Sequence, residues 1–258
     1  MRDPHVHSNY SDGEFLPRMV AAAEKAGLAG VGFADHAAVA SRETVWDARA
    51  TYGFNLDLTH ERRRRAIDRL RREHRIEIYD AVEVDHDPRD ERDIEAFLDR
   101  AGFDYAIGSV HAVGGRNVQL PAAFDGSPEG ELDRTVDRYF ERLVGLVESE
   151  LFDVAAHPDL IERTPPLRGR ATDAHYRRAA RAFERSRTLP ELNAGRALGD
   201  GIVHPSPAFL DRLLERGCSI VAGSDSHHPD EIGDRTAFLA EYLGDRGVEP
   251  VEPPFERL

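Results

Sequence analysis

The chain has 258 residues, 40% of them hydrophobic, which is enough to bury one large core, and we expect a single domain over residues 1–258. Its 34 Lys and Arg against 48 Asp and Glu give a formal net charge of −14, which disfavours stable nucleic-acid binding. Cys218 is the single cysteine, which excludes an intrachain disulfide and a thiolate zinc cluster. Any metal must therefore be held by His, Asp or Glu.

No stretch reaches the roughly 20 apolar residues of a membrane span, and the first residues, MRDPHVHS, lack the apolar segment of a secretory signal. We expect a cytoplasmic protein without membrane contact. Lys25 is the sole lysine, and this arginine bias has two interpretations that stay open: GC-rich coding, or an acidic surface adapted to high salt. The sequence does not indicate an oligomeric state.

Short β-rich runs alternate with helical patterns, which favours a parallel α/β fold. The predicted elements in chain order are strand Pro4–His7, helix Glu14–Ala26, strand Gly30–Ala34, helix Thr59–Glu73, strand Glu77–Val82, helix Arg89–Ala101, strand Tyr105–Val110, helix Glu129–Glu150, strand Phe152–Ala156, helix Thr172–Ser186, strand Leu189–Leu192, helix Pro207–Arg216, strand Ser219–Ala222 and helix Pro229–Leu243. Gly27, Gly102 and Gly217 each follow a helix and are expected to close it in the left-handed conformation. The Arg62–Arg65 run is interpreted as a solvated helix face above a narrow apolar stripe.

Histidines and carboxylates follow the predicted strands at their carboxyl ends. The residues at these positions are His5, His7, Asp35, His36, Glu83, Asp85, His111, His157, Asn193, Asp225 and His227. In a parallel barrel all such ends converge on one face, so these side chains are expected to meet around one pocket. A single His-x-His is weak evidence, because a histidine at a strand end is more often structural than a ligand. Six of seven strand ends that supply candidate ligands indicate a metal site.

Imidazole and carboxylate donors suit manganese, iron or zinc, and a carboxylate can bridge two ions. Such ions lower the pKa of a bound water and neutralise phosphoryl oxygens, so hydrolysis of a phosphate ester fits this donor set. Arg163 and Arg196 follow the fifth and sixth strands, where either could bind a phosphate or be a surface arginine. Asp35 has two equal interpretations, orienting His36 from behind or capping the next turn.

The segments HVHSNYSDG, ADH, AVEVD, GSVH, AHPD and GSDSHHP resemble the polymerase and histidinol phosphatase (PHP) family in order and wording over nearly the whole chain. This resemblance implies a distorted seven-stranded (β/α)7 TIM-like barrel with three divalent metal ions. It implies a first metal at His5, His7 and Asp225, with Glu83 bridging to a second metal at His111 and His157, and a third metal at Asp12, His36 and His227. The residues expected to take part in catalysis are Glu83, Asp225 and His227.

Within the family, GSVHAV, AHPDLIER, ELNAGRALGDGIVHPSP and GSDSHHPDEIG are most similar to the PHP-type histidinol-phosphate phosphatases. The resemblance implies hydrolysis of L-histidinol phosphate, a small phosphorylated metabolite of histidine biosynthesis, by a metal-bridging hydroxide. The segment VGGRNVQLPAAFDG after His111 departs from the family pattern, and substrate selection could differ there. The alternatives are a PHP enzyme for another small phosphate ester or a nucleotide phosphodiester, and a non-catalytic PHP binding module.

Overall fold

The fold is built on parallel strands that alternate with helices along the chain. The computed structural model describes residues 1–40, 42, 45 and 50–254. The strands are β1 (Arg2–Val6), β2 (Gly30–Phe33), β3 (His36–Ala37), β4 (Glu77–Asp85), β5 (Tyr105–Ser109), β6 (Ala112–Val113), β7 (Arg116–Asn117), β8 (Val154–Ala155), β9 (Leu189–Arg196), β10 (Ile202–His204) and β11 (Val221–Gly223). The helices are α1 (Leu16–Lys25), α2 (Leu56–Glu73), α3 (Glu91–Ala101), α4 (Glu129–Glu148), α5 (Asp173–Phe183), α6 (Ala197–Asp200), α7 (Pro207–Glu215) and α8 (Pro229–Gly244).

Seven strands, β1, β2, β4, β5, β8, β9 and β11, pair in parallel in that order. The two outer strands of this row also meet, because the amide of His7 donates to the carbonyl of Ser226 at 2.9 Å and the amide of Asp225 donates to the carbonyl of His5 at 2.8 Å. The sheet therefore curls back on itself as a distorted barrel. This confirms the predicted parallel α/β barrel and all seven predicted strands.

Three short additions were not predicted. β3 pairs with β4, β6 and β7 form a hairpin in the segment after His111, and β10 runs antiparallel to β9. Strands of two or three residues are too short to show the alternation of apolar and polar side chains from which a strand is predicted. All three lie at the carboxyl end of the barrel, so they shape the face on which the candidate ligands meet.

All these helices except the four-residue α6 pack one apolar face against the barrel. In α4 this face comprises Leu132, Val136, Tyr139, Phe140, Leu143 and Val147, all buried. Gly27, Gly102 and Gly217 have φ values of 74°, 59° and 71°, which confirms the predicted left-handed helix ends. Within the described ranges, no helix is both long and apolar enough to cross a bilayer.

The interpretation of Arg62–Arg65 as a solvated face was wrong for one residue. Arg62 and Arg65 are exposed, but Arg63 is fully buried. It precedes Ile67 by four residues, so it lies on the inward stripe of α2. Its guanidinium is paired with the buried carboxylate of Asp80, 2.7 Å away.

The barrel interior depends on a close approach between Gly32 and Tyr105. The Tyr105 hydroxyl donates to the Pro4 carbonyl across the barrel. A Cβ on Gly32 would lie 1.7 Å from that hydroxyl oxygen, well inside van der Waals contact. Only glycine fits at this position of β2 without moving the tyrosine.

We expect Gly32→Ala to lower the free energy of unfolding by about 1–3 kcal/mol or more, because the added methyl overpacks the barrel. Chemical denaturation measures this change. Gly145→Ala in α4 is the control, because no atom lies within 4 Å of its Cβ position and alanine favours a helix by about 1 kcal/mol. Equal stability of the two variants would contradict this account.

Candidate metal centre

The carboxyl ends of the barrel strands open into a cavity of about 810 Å³. The nine predicted ligands gather at or directly beside it: His5, His7, Asp12, His36, Glu83, His111, His157, Asp225 and His227. They come from separate strands and loops, as the predicted convergence of strand ends requires.

Glu83 lies at the centre of the cluster, and its side chain is 1% exposed. Its Oε2 atom is 3.1 Å from Nδ1 of His36, 3.4 Å from Nε2 of His5 and 3.5 Å from Nε2 of His7. This carboxylate oxygen therefore faces histidines from two different strand ends. Burial raises the pKa of Glu83, but the surrounding imidazoles outweigh it and hold the pKa well below its usual range.

The second oxygen of Glu83 faces a different pair of histidines. Its Oε1 atom is 3.2 Å from Nε2 of His157 and 3.5 Å from Nε2 of His111. Although this atom is buried, it has no hydrogen-bond partner of good geometry among the described residues. A buried carboxylate oxygen without such a partner is unusual, and a cation between it and the imidazoles would satisfy it.

His5, His7 and Asp225 form a second convergence. The Nε2 atoms of the two histidines are 3.1 Å apart, and Oδ1 of Asp225 is 3.2 Å from Nε2 of His7 and 3.8 Å from Nε2 of His5. Burial raises the pKa of Asp225, but the charges of the two histidines keep it well below the usual range. Asp225 has a φ of 52°, an uncommon value for aspartate.

Asp12 joins the cluster from the turn after β1. Its Oδ2 atom is 3.4 Å from Nε2 of His227 and 3.8 Å from Nε2 of His36, and its Oδ1 atom is 3.6 Å from Nδ1 of His7. Burial opposes ionisation of Asp12, yet the bond to His227 and the nearby imidazoles lower its pKa below the usual range. Asp12 therefore stays anionic beside three imidazoles.

The donor atoms fall into three groups, and within each group they lie within 4.8 Å of one another: His5, His7 and Asp225; His36, Glu83 and His111; and His7, Asp12, His36 and His227. These groups follow the predicted sets with two differences. His36 stands with Glu83 and His111 where His157 was expected, and His7 belongs to two groups. His157 still reaches the cluster through Oε1 of Glu83.

Glu191 is a part of this centre that the sequence analysis missed. Its Oε1 atom is 2.6 Å from Nδ1 of His5, and its Oε2 atom accepts hydrogen bonds from the amide of His157 at 3.0 Å and from the side chain of Asn193 at 2.9 Å. Glu191 is completely buried. A glutamate inside the short apolar strand LPELN was the available signal, because buried charge needs a partner.

Hydrogen bonds on the side away from the cluster fix which nitrogen of His111 and of His227 faces it. Nδ1 of His111 is 2.8 Å from Oδ1 of Asp85, and Nδ1 of His227 is 3.0 Å from the carbonyl oxygen of Asp225. With Nδ1 engaged as a donor, Nε2 is the nitrogen of each ring that offers a lone pair to a cation once it has lost its proton.

Asp35 holds the loop after β1. It accepts hydrogen bonds from the amide and hydroxyl of Ser8 at 2.6 and 2.8 Å, from the hydroxyl of Ser11 at 2.9 Å and from Arg63 at 2.7 Å. These bonds do not involve the ring of His36, the next residue. Asp35 therefore acts on the loop that carries His7 and Asp12.

Arg163 and Arg196, the two predicted phosphate ligands, both line the cavity. Arg163 donates to the side chain of Gln119, and Arg196 is 3.9 Å from Asp200. Burial and the neighbouring charge of Arg196 lower the pKa of Arg163, so the two guanidinium groups act on each other. They form a cationic edge of the cavity, which four other arginines also line.

Aromatic rings form another part of the wall. The ring of Phe54 is 4.6 Å from that of His36, and Tyr52 stacks on Phe54 at 5.7 Å. Tyr52 is 56% exposed and lines the cavity together with Phe54. The cavity therefore combines a metal-type donor cluster, a cationic edge and an aromatic wall.

A seven-stranded α/β barrel with His and carboxylate donors at its carboxyl end defines the class of this protein. The model of the PHP domain family matches residues 3–195, more than half of the chain. The chain therefore belongs to the PHP domain family, as its motifs indicated.

Individual relatives agree with this assignment. A Deinococcus radiodurans protein named "Probable histidinol-phosphatase" is 29% identical over 181 residues, which span 69% of this chain and 68% of the relative. A Listeria monocytogenes structure described as a "putative histidinol phosphatase" superposes with a TM-score of 0.76 at 18% identity, over 92% of this chain and 99% of the other. The histidinol phosphate phosphatase of Lactococcus lactis, crystallised with zinc, L-histidinol and phosphate, gives a TM-score of 0.72 at 20% identity, over 99% and 97% of the two chains.

Glu191→Ala is expected to lower the free energy of unfolding by about 3–5 kcal/mol, because it leaves buried polar partners of His5, His157 and Asn193 unpaired. Urea denaturation of the metal-free protein measures this change. The control is Glu184→Ala, which removes only a surface ion pair with Arg216 and should cost about 1 kcal/mol or less. A loss no larger than in the control would contradict a structural role for Glu191.

Proposed function

We propose that this protein is a metal-dependent phosphomonoesterase that hydrolyses L-histidinol phosphate to L-histidinol and phosphate. The observation that carries the proposal is the buried carboxylate of Glu83, whose two oxygens face two separate sets of imidazoles. A carboxylate so placed can hold two cations at once. The names of the relatives then favour histidinol phosphate among the possible phosphate esters.

Three divalent ions, manganese, iron or zinc, are proposed to bind to the three donor groups. His5, His7 and Asp225 would hold the first, Glu83, His111 and His157 the second, and Asp12, His36 and His227 the third. The residues fit such ions, since every donor is an imidazole or carboxylate and Oε1 of Glu83 lacks a partner within the described part of the chain. Bound there, the ions would supply a water of lowered pKa and neutralise the charge of a phosphoryl group.

The protein's own residues would position the cations and bind the phosphoryl group. Glu83 and Asp225 remain anionic and keep the cluster attractive to cations, and His227 faces the open cavity from the third group. Arg163 and Arg196 would fork onto the phosphoryl oxygens, which an arginine pair can bind with several N–H donors. The charge of Arg196 also lowers the pKa of Arg163, after the larger effect of burial, so a dianionic ligand bound by both would relieve their repulsion.

The aromatic wall of the cavity suits the organic part of histidinol phosphate, which has a planar imidazole and an ammonium group. Phe54 and Tyr52 offer ring faces for stacking and cation–π contact. The segment that departs from the family pattern contains β7 of the hairpin β6–β7. Two residues after that strand it supplies Gln119, which accepts a hydrogen bond from Arg163. Substrate selection is therefore proposed to depend on this hairpin and on the aromatic wall.

The other candidates are a PHP enzyme for another phosphate ester or a nucleotide phosphodiester, and a non-catalytic module. The charge of −14 disfavours a nucleic-acid substrate. The complete set of donors disfavours a module that has lost its metals. A cytoplasmic location stays a prediction.

Phosphate release from histidinol phosphate should require divalent metal, and Glu83→Gln should lower kcat/KM by at least about 100-fold, because the amide keeps the shape but removes the bridging charge. The assay compares wild type with and without chelator, Glu83→Gln, and Glu95→Gln on the exposed face of α3 as the control. Unchanged turnover in the presence of chelator would overturn the metal mechanism. Efficient hydrolysis of nucleotides with no release from histidinol phosphate would overturn the substrate assignment.

Metal binding should release protons near neutral pH. In the ion-free protein, burial lowers the pKa of His111 but Asp85 and Glu83 raise it overall to about 9, and His227 likewise reaches about 9 through Asp12 and Asp225. Both rings are therefore protonated at pH 7.5 and must lose a proton to bind a cation, so metal affinity should rise with pH up to about 9. Calorimetric titration in buffers of different ionisation enthalpy should show release of at least about two protons per protein, because burial lowers the pKa of His5 but Glu191 and Asp225 raise it overall as well. Proton uptake, or affinity independent of pH, would contradict this assignment.

A further inference from the structure

The carboxylate of Asp35 is the meeting point of three segments of the metal centre. It is fully buried and accepts four hydrogen bonds of 2.6–2.9 Å, from the amide and hydroxyl of Ser8, the hydroxyl of Ser11 and the guanidinium of Arg63. Four donors saturate a carboxylate. Its position is therefore set by the loop on one side and by α2 on the other.

The groups bound to Asp35 are direct neighbours of proposed metal ligands. Ser8 follows His7, Ser11 precedes Asp12, and Asp35 itself precedes His36. Three of the four members of one donor group, His7, Asp12, His36 and His227, are thus adjacent in sequence to atoms of this network. The fourth, His227, is held by the Asp225 carbonyl and by Glu231 instead.

The loop after β1 is also held by its own backbone, in addition to its bonds to Asp35. The amides of Ser11 and Gly13 both donate to the carbonyl of Ser8, which closes a tight turn around Asp12. A Cβ on Gly13 would lie 2.4 Å from backbone atoms of His7, so the turn packs directly on the strand end. A small displacement of Ser8 or Ser11 would therefore move both His7 and Asp12.

Arg63 supplies the buried positive charge that Asp35 requires. Its Nη1 atom donates to Asp35 at 2.7 Å, while Nη2 and Nε donate to Asp80 at 2.7 and 3.2 Å. The planar fork of arginine can reach two carboxylates at fixed angles, which a lysine cannot do. Arg63 thereby connects α2 and the buried residue Asp80 of β4 to the loop of the metal centre.

We propose that Arg63 and Asp35 are positioning residues that assemble the donor group of His7, Asp12, His36 and His227 for its cation. The proposal rests on the proposed metal-dependent function but not on the identity of the phosphate ester. Arg63 is fully buried and is not one of the nine proposed ligands. It acts by fixing Asp35, which fixes the loop.

If these ion pairs only stabilised the packing of α2, loss of Arg63 and loss of Arg64 should have the same effect on metal binding. Arg64, the next residue of α2, also binds Asp80, at 2.7 Å, but its other hydrogen bond goes to the Gly102 carbonyl, away from the metal centre. Loss of Arg64 should therefore affect the packing of α2 without affecting the loop. Arg64→Met is the matched control for Arg63.

The experiment measures bound manganese per chain by elemental analysis after equilibration at a series of free manganese concentrations, together with thermal unfolding of the metal-free protein. Asp35→Asn and Arg63→Lys should each lose about one ion per chain, or weaken the weakest site about 10–100-fold, the range found for residues that orient ligands. Ser11→Ala removes a hydroxyl that contacts Asp35 at 2.9 Å and Nδ1 of His7 at 3.4 Å, and it should weaken the same site less. Arg64→Met should keep the full complement of ions.

Ser11→Ala keeps the proposal testable if Asp35→Asn fails to fold. Ion binding equal to wild type in all variants that fold overturns the proposal, and so does a loss in Arg64→Met as large as in Arg63→Lys. The proposal is supported if Arg63→Lys loses one metal site and Arg64→Met does not, while the two variants have similar stability without metal. Wild-type protein that binds neither manganese, iron nor zinc overturns the proposed function, and this inference with it. Normal binding by wild type and Asp35→Asn alike overturns only the inference.

Discussion

The structure depends on one buried carboxylate held among imidazoles. Glu83 is almost completely inaccessible, and a carboxylate moved into such a position without partners would take up a proton instead of remaining charged. The imidazoles reverse that tendency and lower its pKa. The buried negative charge of this carboxylate among imidazoles from separate strand ends is what makes their convergence suited to a cation.

So many polar groups at one end of a barrel need hydrogen-bond partners on the side away from the cavity. Glu191 engages the second nitrogen of His5, Asp85 that of His111, and Asp35 the loop after β1. The rings therefore present fixed nitrogens without needing a bound ion to arrange them, and preorganised donors bind cations more tightly than mobile ones. Buried Arg63 offsets part of the negative charge that this second layer adds.

The elements themselves could be predicted because their signals are local. Apolar runs of strand length, helical spacing of buried residues such as Leu132 and Val136, and glycines such as Gly102 after helix ends all lie within one short segment. The features that were not predicted are of two kinds. β3 and β10 are too short to show a periodic pattern of apolar residues. Arg63 is a charged residue that is buried, although charged residues are usually exposed. Arg63 stands in a run of exposed arginines, yet its partners are 28 and 17 residues away.

By itself the sequence determined the α/β class, the seven parallel strands and the set of residues at their carboxyl ends, because alternation and strand-end position are properties of consecutive residues. Only the tertiary structure decided which oxygen of Glu83 faces which histidine, that His36 stands with His111, and that Glu191 pairs with His5 across 186 positions of the chain. Those choices follow from how the barrel closes. A buried charge is stabilised by whichever partner the closed fold brings within a hydrogen bond, and no spacing along the chain encodes that distance.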